Sequence, residues 1–148
     1  MDSSEFIACI GKHEDDPAVQ RILAAVGFTK KLRMPKDDID VRASLPKLGL
    51  SLIFEPEGPK SSRLLLSAVK FISSFEKGNT TFAGALPANL LFSDLRPQAH
   101  AKLGPPQDGD LDLRLDIWNL GDLKLAIKYA KDAPQPVGVV TVQLPPKV

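Results

Sequence analysis

The sequence predicts an α+β fold: two helix–strand–strand–strand units, about residues 1–77 and 78–148, joined in one antiparallel sheet with helices packed on one face. Three observations predict it. Each half holds a helical stretch that closes on glycine. Each of these stretches is followed by three strand-like stretches. The halves also align: "SDLRPQAHAKLG" (93–104) lies on "DPAVQRILAAVG" (16–27) without gaps, Gly104 on Gly27, an offset of 77 residues. One unit alone is near the size where a core becomes marginal, so a single domain over 1–148 is expected.

The elements follow in order. "DSSEFIACIGK" reads as a short helix, capped by Ser3 or Ser4 and ended by Gly11. In "DPAVQRILAAVG" Asp16 caps, Pro17 suits the first helical position, and Val19, Ile22, Leu23 and Val26 form one buried stripe. Three strands follow. "DIDVRASL" alternates, with Ile39, Val41 and Ala43 on one face; "LGLSLIFE" is strongly apolar. "RLLLSAVKFIS" places Leu65, Ser67, Val69 and Phe71 on one side and Leu64, Leu66, Ala68, Lys70 and Ile72 on the other, both sides apolar, as in an interior strand. In the second half Asp94 can cap and Pro97 falls in the first helical turn. The strands there are "LDLRLDIWNL", "DLKLAIKYA" and "VGVVTVQL", the first two joined by a hairpin at "NLGD". The joining segment 73–92 contains FAGALP and NLLF, which read as ordered.

Bulk composition narrows the function classes. The apolar fraction is 43% and the charged fraction 25%, so a packed core is expected. Lys and Arg number 19 against 18 Asp and Glu, and the balance holds in each half, 12 to 11 in residues 1–77 and 7 to 7 in 78–148. Nucleic-acid binding needs a basic excess to displace counterions, so no nucleic-acid partner is expected. No run is apolar enough to cross a membrane, and the opening "MDSSEFIACIGKHEDD" lacks the basic start of a secretory signal. Cys9 is the only cysteine, which fits a reducing cytoplasm.

The stretch "DGDLDLRLDIW" carries the densest charge, with Asp108, Asp110, Asp112 and Asp116 in nine residues. A calcium loop of the EF-hand kind needs glycine at its sixth position and glutamate at its twelfth. Leu113 and Asn119 stand there instead. The leucines alternate with the charges, so the reading is a strand with Leu111, Leu113, Leu115 and Ile117 inward. Asp110, Asp112, Arg114, Asp116 and Trp118 then share the outer face, and a tryptophan beside unpaired acids resembles a protein-binding patch.

No other motif points to catalysis or a cofactor. His13 and His100 lack second ligands at metal spacing, and His100 aligns with Leu23 of the first helix, as a partly buried structural side chain would. Cys9 reads as a small core residue. The glycine-containing loops lack phosphate-loop spacing, and the basic "TKKLRMPK" is cancelled by Asp37, Asp38 and Asp40. No catalytic residue, metal or cofactor is expected, and no enzymatic activity.

The run "FAGALPANLLFSDLRPQAHAKLGPPQ", then "DIW", "LKLAIKYA" and "VGVVTVQL", resembles a recurring bacterial module in which a helix ends at Leu-Gly-x-Pro and an antiparallel meander follows. "AVQRILAAVGF", "LGLSLIFE" and "LLLSAVKFI" look like a diverged copy. Tandem units of this length are similar to the β-lactamase-inhibitor-protein architecture, in which a sheet backed by helices offers a concave face to another protein. The chain also resembles immunity proteins of polymorphic toxin and type VI secretion systems. The resemblance implies a cytoplasmic protein that binds and neutralises a cognate toxin or effector. Asp110, Asp112, Asp116 and Trp118 are the expected contact face, an acidic patch meeting a basic cleft. The alternative is an adaptor or chaperone-like protein that binds a secreted effector without inhibiting it.

Overall fold

The computed structural model describes residues 1–34 and 38–146; Lys36 and Asp37, from the charge-balanced loop, lie outside the described residues. The helices are α1 (Ser3–Ile7), α2 (Pro17–Ala25) and α3 (Arg96–Leu103). The strands are β1 (Val41–Leu45), β2 (Leu50–Pro56), β3 (Leu64–Ile72), β4 (Asp108–Asp110), β5 (Leu115–Leu120), β6 (Leu123–Tyr129) and β7 (Val137–Gln143). They form one seven-stranded sheet of order β1-β2-β3-β7-β6-β5-β4, antiparallel at every step. The fold is therefore α+β, with few and short helices.

The second helix follows its sequence closely. Asp16 Oδ1 accepts from the Ala18 N–H at 2.8 Å, Pro17 opens the helix, and Val19, Ile22 and Leu23 are buried. α1 starts one residue earlier than expected. Its cap is Asp2, whose N–H donates to Glu5 Oε2 at 3.0 Å, while its Oδ1 accepts from the Ala85 N–H at 2.9 Å. The α-helical turn stops at Ile7, and Gly11 then adopts a positive φ of 90°. From there residues 11–14 run as a short partner along the first half of β3, with Gly11 N–H on Leu66 O at 2.7 Å and Glu14 N–H on Leu64 O at 2.9 Å. β7 takes the second half of the same β3 edge, Ala68 to Ile72.

The interior placement of β3 agrees with its apolar content, but its faces differ from strict alternation. A bulge between Ile53 and Phe54 of β2 pairs Ile53 with Ala68 and Phe54 with Leu66, leaving Ser67 as the extra residue. Ser67 Oγ donates to Ile53 O at 3.1 Å. One added residue reverses parity, so Leu64 and Leu66 share the helix-covered face with Val69 and Phe71.

That face holds the core. Leu50, Leu52 and Phe54 of β2, Leu125 and Ile127 of β6, and Val140 and Val142 of β7 pack under Phe6, Val19, Ile22 and Leu23 from the helices. The joining segment contributes as well. Phe82 lies 4.8 Å from Phe71 and 6.2 Å from Phe6, ring centre to ring centre. Gly84 permits this path, since a Cβ there would sit 2.1 Å from the Met1 carbonyl oxygen.

Candidate binding face

The acidic stretch is not one strand. Residues 111–114 form a tight turn, so β4 and β5 are the two arms of a hairpin. Asp110 builds the turn: its Oδ1 accepts from the N–H groups of Asp112 at 2.9 Å and Leu113 at 3.1 Å. Arg114 leaves the turn with φ of 54°. Leu111 and Leu113, expected inside, are 79% and 60% exposed at the tip beside Asp112.

The turn also inverts the faces of β5. Leu115 and Ile117 lie on the open side, while Asp116 and Trp118, expected outside, are each 4% exposed on the helix side. These two residues therefore do not belong to an exposed contact patch, and the reason is α3. Arg96 Nε donates to Asp116 Oδ2 at 2.9 Å and Nη2 to Oδ1 at 3.1 Å. His100 Nε2 donates to Oδ2 at 2.7 Å, and the Tyr129 hydroxyl of β6 to the same oxygen at 2.9 Å. The Arg96 guanidinium also lies 4.8 Å over the Tyr129 ring. Trp118 Nε1 donates to Gly104 O at 2.9 Å, and its ring meets His100 edge to face at 5.8 Å.

Burial raises the Asp116 pKa, but the hydrogen bonds from Arg96, His100 and Tyr129 outweigh it and hold the carboxyl below its ordinary value. Burial, followed by the Asp116 carboxylate, pushes the Tyr129 hydroxyl above its ordinary value. Both Asp116 carboxylate oxygens are met by donors within the chain, which makes the cluster a clasp of α3 to the sheet. Gly109 of β4 covers it; a Cβ there would lie 2.8 Å from Asp116 Oδ1.

The other expected residues also have definite places. Asp94 does not cap α3. It is buried, accepting from Leu91 N–H at 2.8 Å and Lys102 Nζ at 2.7 Å, and the Leu95 N–H is met by Gln98 Oε1 at 2.9 Å. His13 Nε2 is 3.2 Å from Glu57 Oε1. Cys9 lies in the core, its thiol pushed up by burial, with Sγ 3.5 Å from Glu5 O. Among the described residues no three His, Cys, Asp or Glu side chains gather as a metal would need. No helix among them is long and apolar enough to cross a membrane.

The face opposite the helices is where the sheet meets solvent. The register lines up Ser44, Ser51, Lys70, Thr141, Ala126 and Ile117 as one row across six strands, ending on Asp108 of β4. On one side of this row lie Arg42, Ile53, Ala68, Gln143 and Lys124, and on the other Ile72, Val139, Lys128 and Leu115. Three hollows indent this face. One of about 460 Å³ is lined by Arg42, Ser44, Lys70, Lys128, Val139 and Thr141 among others. A second, of about 660 Å³, runs along β2 and β3 past Glu55, Ile53 and Ala68 to Pro145 and Pro146. A third, of about 340 Å³, lies by Ile117, Lys124 and Ala126.

Sequence reasoning missed this surface, although the signal was present. Lys70 stands in the largely apolar "LLLSAVKFI" and Lys124 and Lys128 in "LKLAIKY", and cations at such positions fit the side of a strand that meets solvent or a partner. Comparison with protein-family models, with curated proteins and with solved structures found no match to this chain.

Proposed function

We propose that the chain is an immunity protein, which binds a cognate bacterial toxin or effector and neutralises it without catalysis of its own. The observation that carries the reading is the open sheet face. One whole side of a seven-stranded sheet stands clear of the helices, indented and lined by mixed apolar and charged side chains. Mixed linings of this kind are what protein interfaces use, an apolar centre with polar groups that set register. The β4–β5 tip borders this face, because Asp110 pairs with Leu115. Asp110 and Asp112, with Leu111 and Leu113, thus extend the proposed contact surface. Asp116 and Trp118 support it from behind.

The strand order also supports a tandem origin. β1-β2-β3 and β5-β6-β7 are two meanders, each preceded by a helix, that meet along β3 and β7. We read them as two copies of one unit, which places the third strands of both copies at the centre of the binding face.

The test is genetic. The neighbouring gene should encode a toxin, and co-expression of this chain should restore growth of cells that express it. Neighbours without toxicity, or a toxin that kills equally well in the presence of this chain, would remove the reading. A co-purified partner that stays active in the complex would replace it with the adaptor reading.

A further inference from the structure

We propose that the cationic centre of the open face, Lys70 with Arg42 and Lys128, seats a carboxylate on an acidic segment of the partner protein. This rests on the reading of that face as the binding surface.

Lys70 lies midway along the central row, opposite Ser51 on one side and Thr141 on the other. Neither neighbour carries an anion. Among the described residues no carboxylate comes within ion-pair distance of Lys70 or Lys128, and Arg42 reaches only Asp40, at 3.5 Å. Lys124 is engaged by the neutral oxygens of Gln107 and Asn119. All three central cations line the same hollow of about 460 Å³. Burial, then the charges of Arg42 and Lys128, lower the Lys70 pKa, so the ammonium is held where its charged form is disfavoured.

The like charges of Arg42 and Lys128 oppose that of Lys70. Stability given up at a cluster of like charges is a recurrent cost of function.

The rim narrows the class of anion. Asp40, Glu55 and Glu57 line the adjoining hollow, Glu76 the central one beside the cations, and Asp108 the far one. An extended polyanion such as nucleic acid would meet these acids on every side. A loop bearing one or two carboxylates, with basic or apolar residues around them, fits both the centre and the rim. The polarity is the reverse of an acidic patch entering a basic cleft.

The probe is the toxin domain encoded beside this gene, titrated calorimetrically into the intact chain and its variants. Lys70→Glu should weaken binding at least ~30-fold and Lys70→Met ~10-fold. Thr141→Trp, which adds neutral bulk to the same row, should also weaken it. Folding is checked independently. Lys70→Glu should keep or raise Tm, by about 2 °C, because it relieves repulsion. Loss of binding on Thr141→Trp with none on Lys70→Glu would keep the face and overturn the acidic occupant. Unchanged binding in both would overturn the face as well. A fall in Tm on Lys70→Glu would overturn the premise of a disfavoured cation. Binding of a short DNA duplex that depends on Lys70 would replace the protein segment by nucleic acid. A gene neighbourhood without a toxin removes this proposal together with the reading beneath it.

Discussion

On the helix side of the sheet, Asp116 is met by three side chains, Arg96, His100 and Tyr129, and shielded by Gly109. On the open side, Lys70 shares a hollow with Arg42 and Lys128, and among the described residues no carboxylate comes within ion-pair distance of it. The buried charge of Asp116 is satisfied within the chain, and the half-buried charge of Lys70 is not. The difference separates what builds the fold from what is left available to a partner. A charge saturated internally has no valence left for binding, however close it lies to a tryptophan.

The largest effect expected from this comparison lies at Trp118. Truncation to Ala opens a cavity under α3 and should cost about 4 kcal/mol in urea denaturation. Trp118→Phe keeps most of the packing but strands the Gly104 carbonyl, which should cost roughly 1–2 kcal/mol. A loss below ~1 kcal/mol on Trp118→Ala would mean that the residue is not part of the core, and the two faces would have to be exchanged.

Asp116→Ala comes next. It leaves Arg96 partly buried without its carboxylate and should cost about 3 kcal/mol. The acid limb of stability gives a second reading of the same group. The folded-state pKa is lowered, so its contribution is fully present above the ordinary value of 3.8 and is lost as pH falls through the lowered one. Asp116→Asn should therefore be most destabilised near neutrality and approach the wild type as the pH falls through the lowered value. A difference that stays constant across that range would show that the carboxylate charge plays no part in the clasp.

These residues also mark how far the sequence could be read. Helix α2 was legible because its cap, first-turn proline and apolar stripe agree. The strand stretches of β2, β3, β6 and β7 were legible from apolar content. The faces of β3 and β5 were not, and two local devices explain why. The bulge at Ser67 inserts one residue and reverses the pattern within β3. The turn at residues 111–114, closed by Asp110 and the positive φ of Arg114, imitates unbroken alternation in "DLDLRLDIW". Period two fits a strand pointing either way; the donors on α3, sixteen to twenty residues upstream of the groups they bind on β5, decide that Asp116 points inward. The open face was hidden for a different reason. Its cations are spread over β1, β3 and β6, and no linear motif joins residues brought together by register alone.

The smallest effect sharpens the comparison most. Lys128 is exposed, faces Val139 and Leu115 across the strands, and shares the central hollow with Lys70. If the open face is held for a partner and not for the fold, Lys128→Gln removes a repulsion and no packing. Its stability should then stay within about 0.5 kcal/mol of the wild type, on the favourable side. The Lys70 ammonium, freed of one cationic neighbour, should titrate at higher pH, which can be followed by NMR of its side-chain carbons. A loss of more than ~1 kcal/mol would mean that the lysine stem packs on the sheet as core residues do. The open face would then contribute to the fold, and the division of labour between the two sides would fail at its centre.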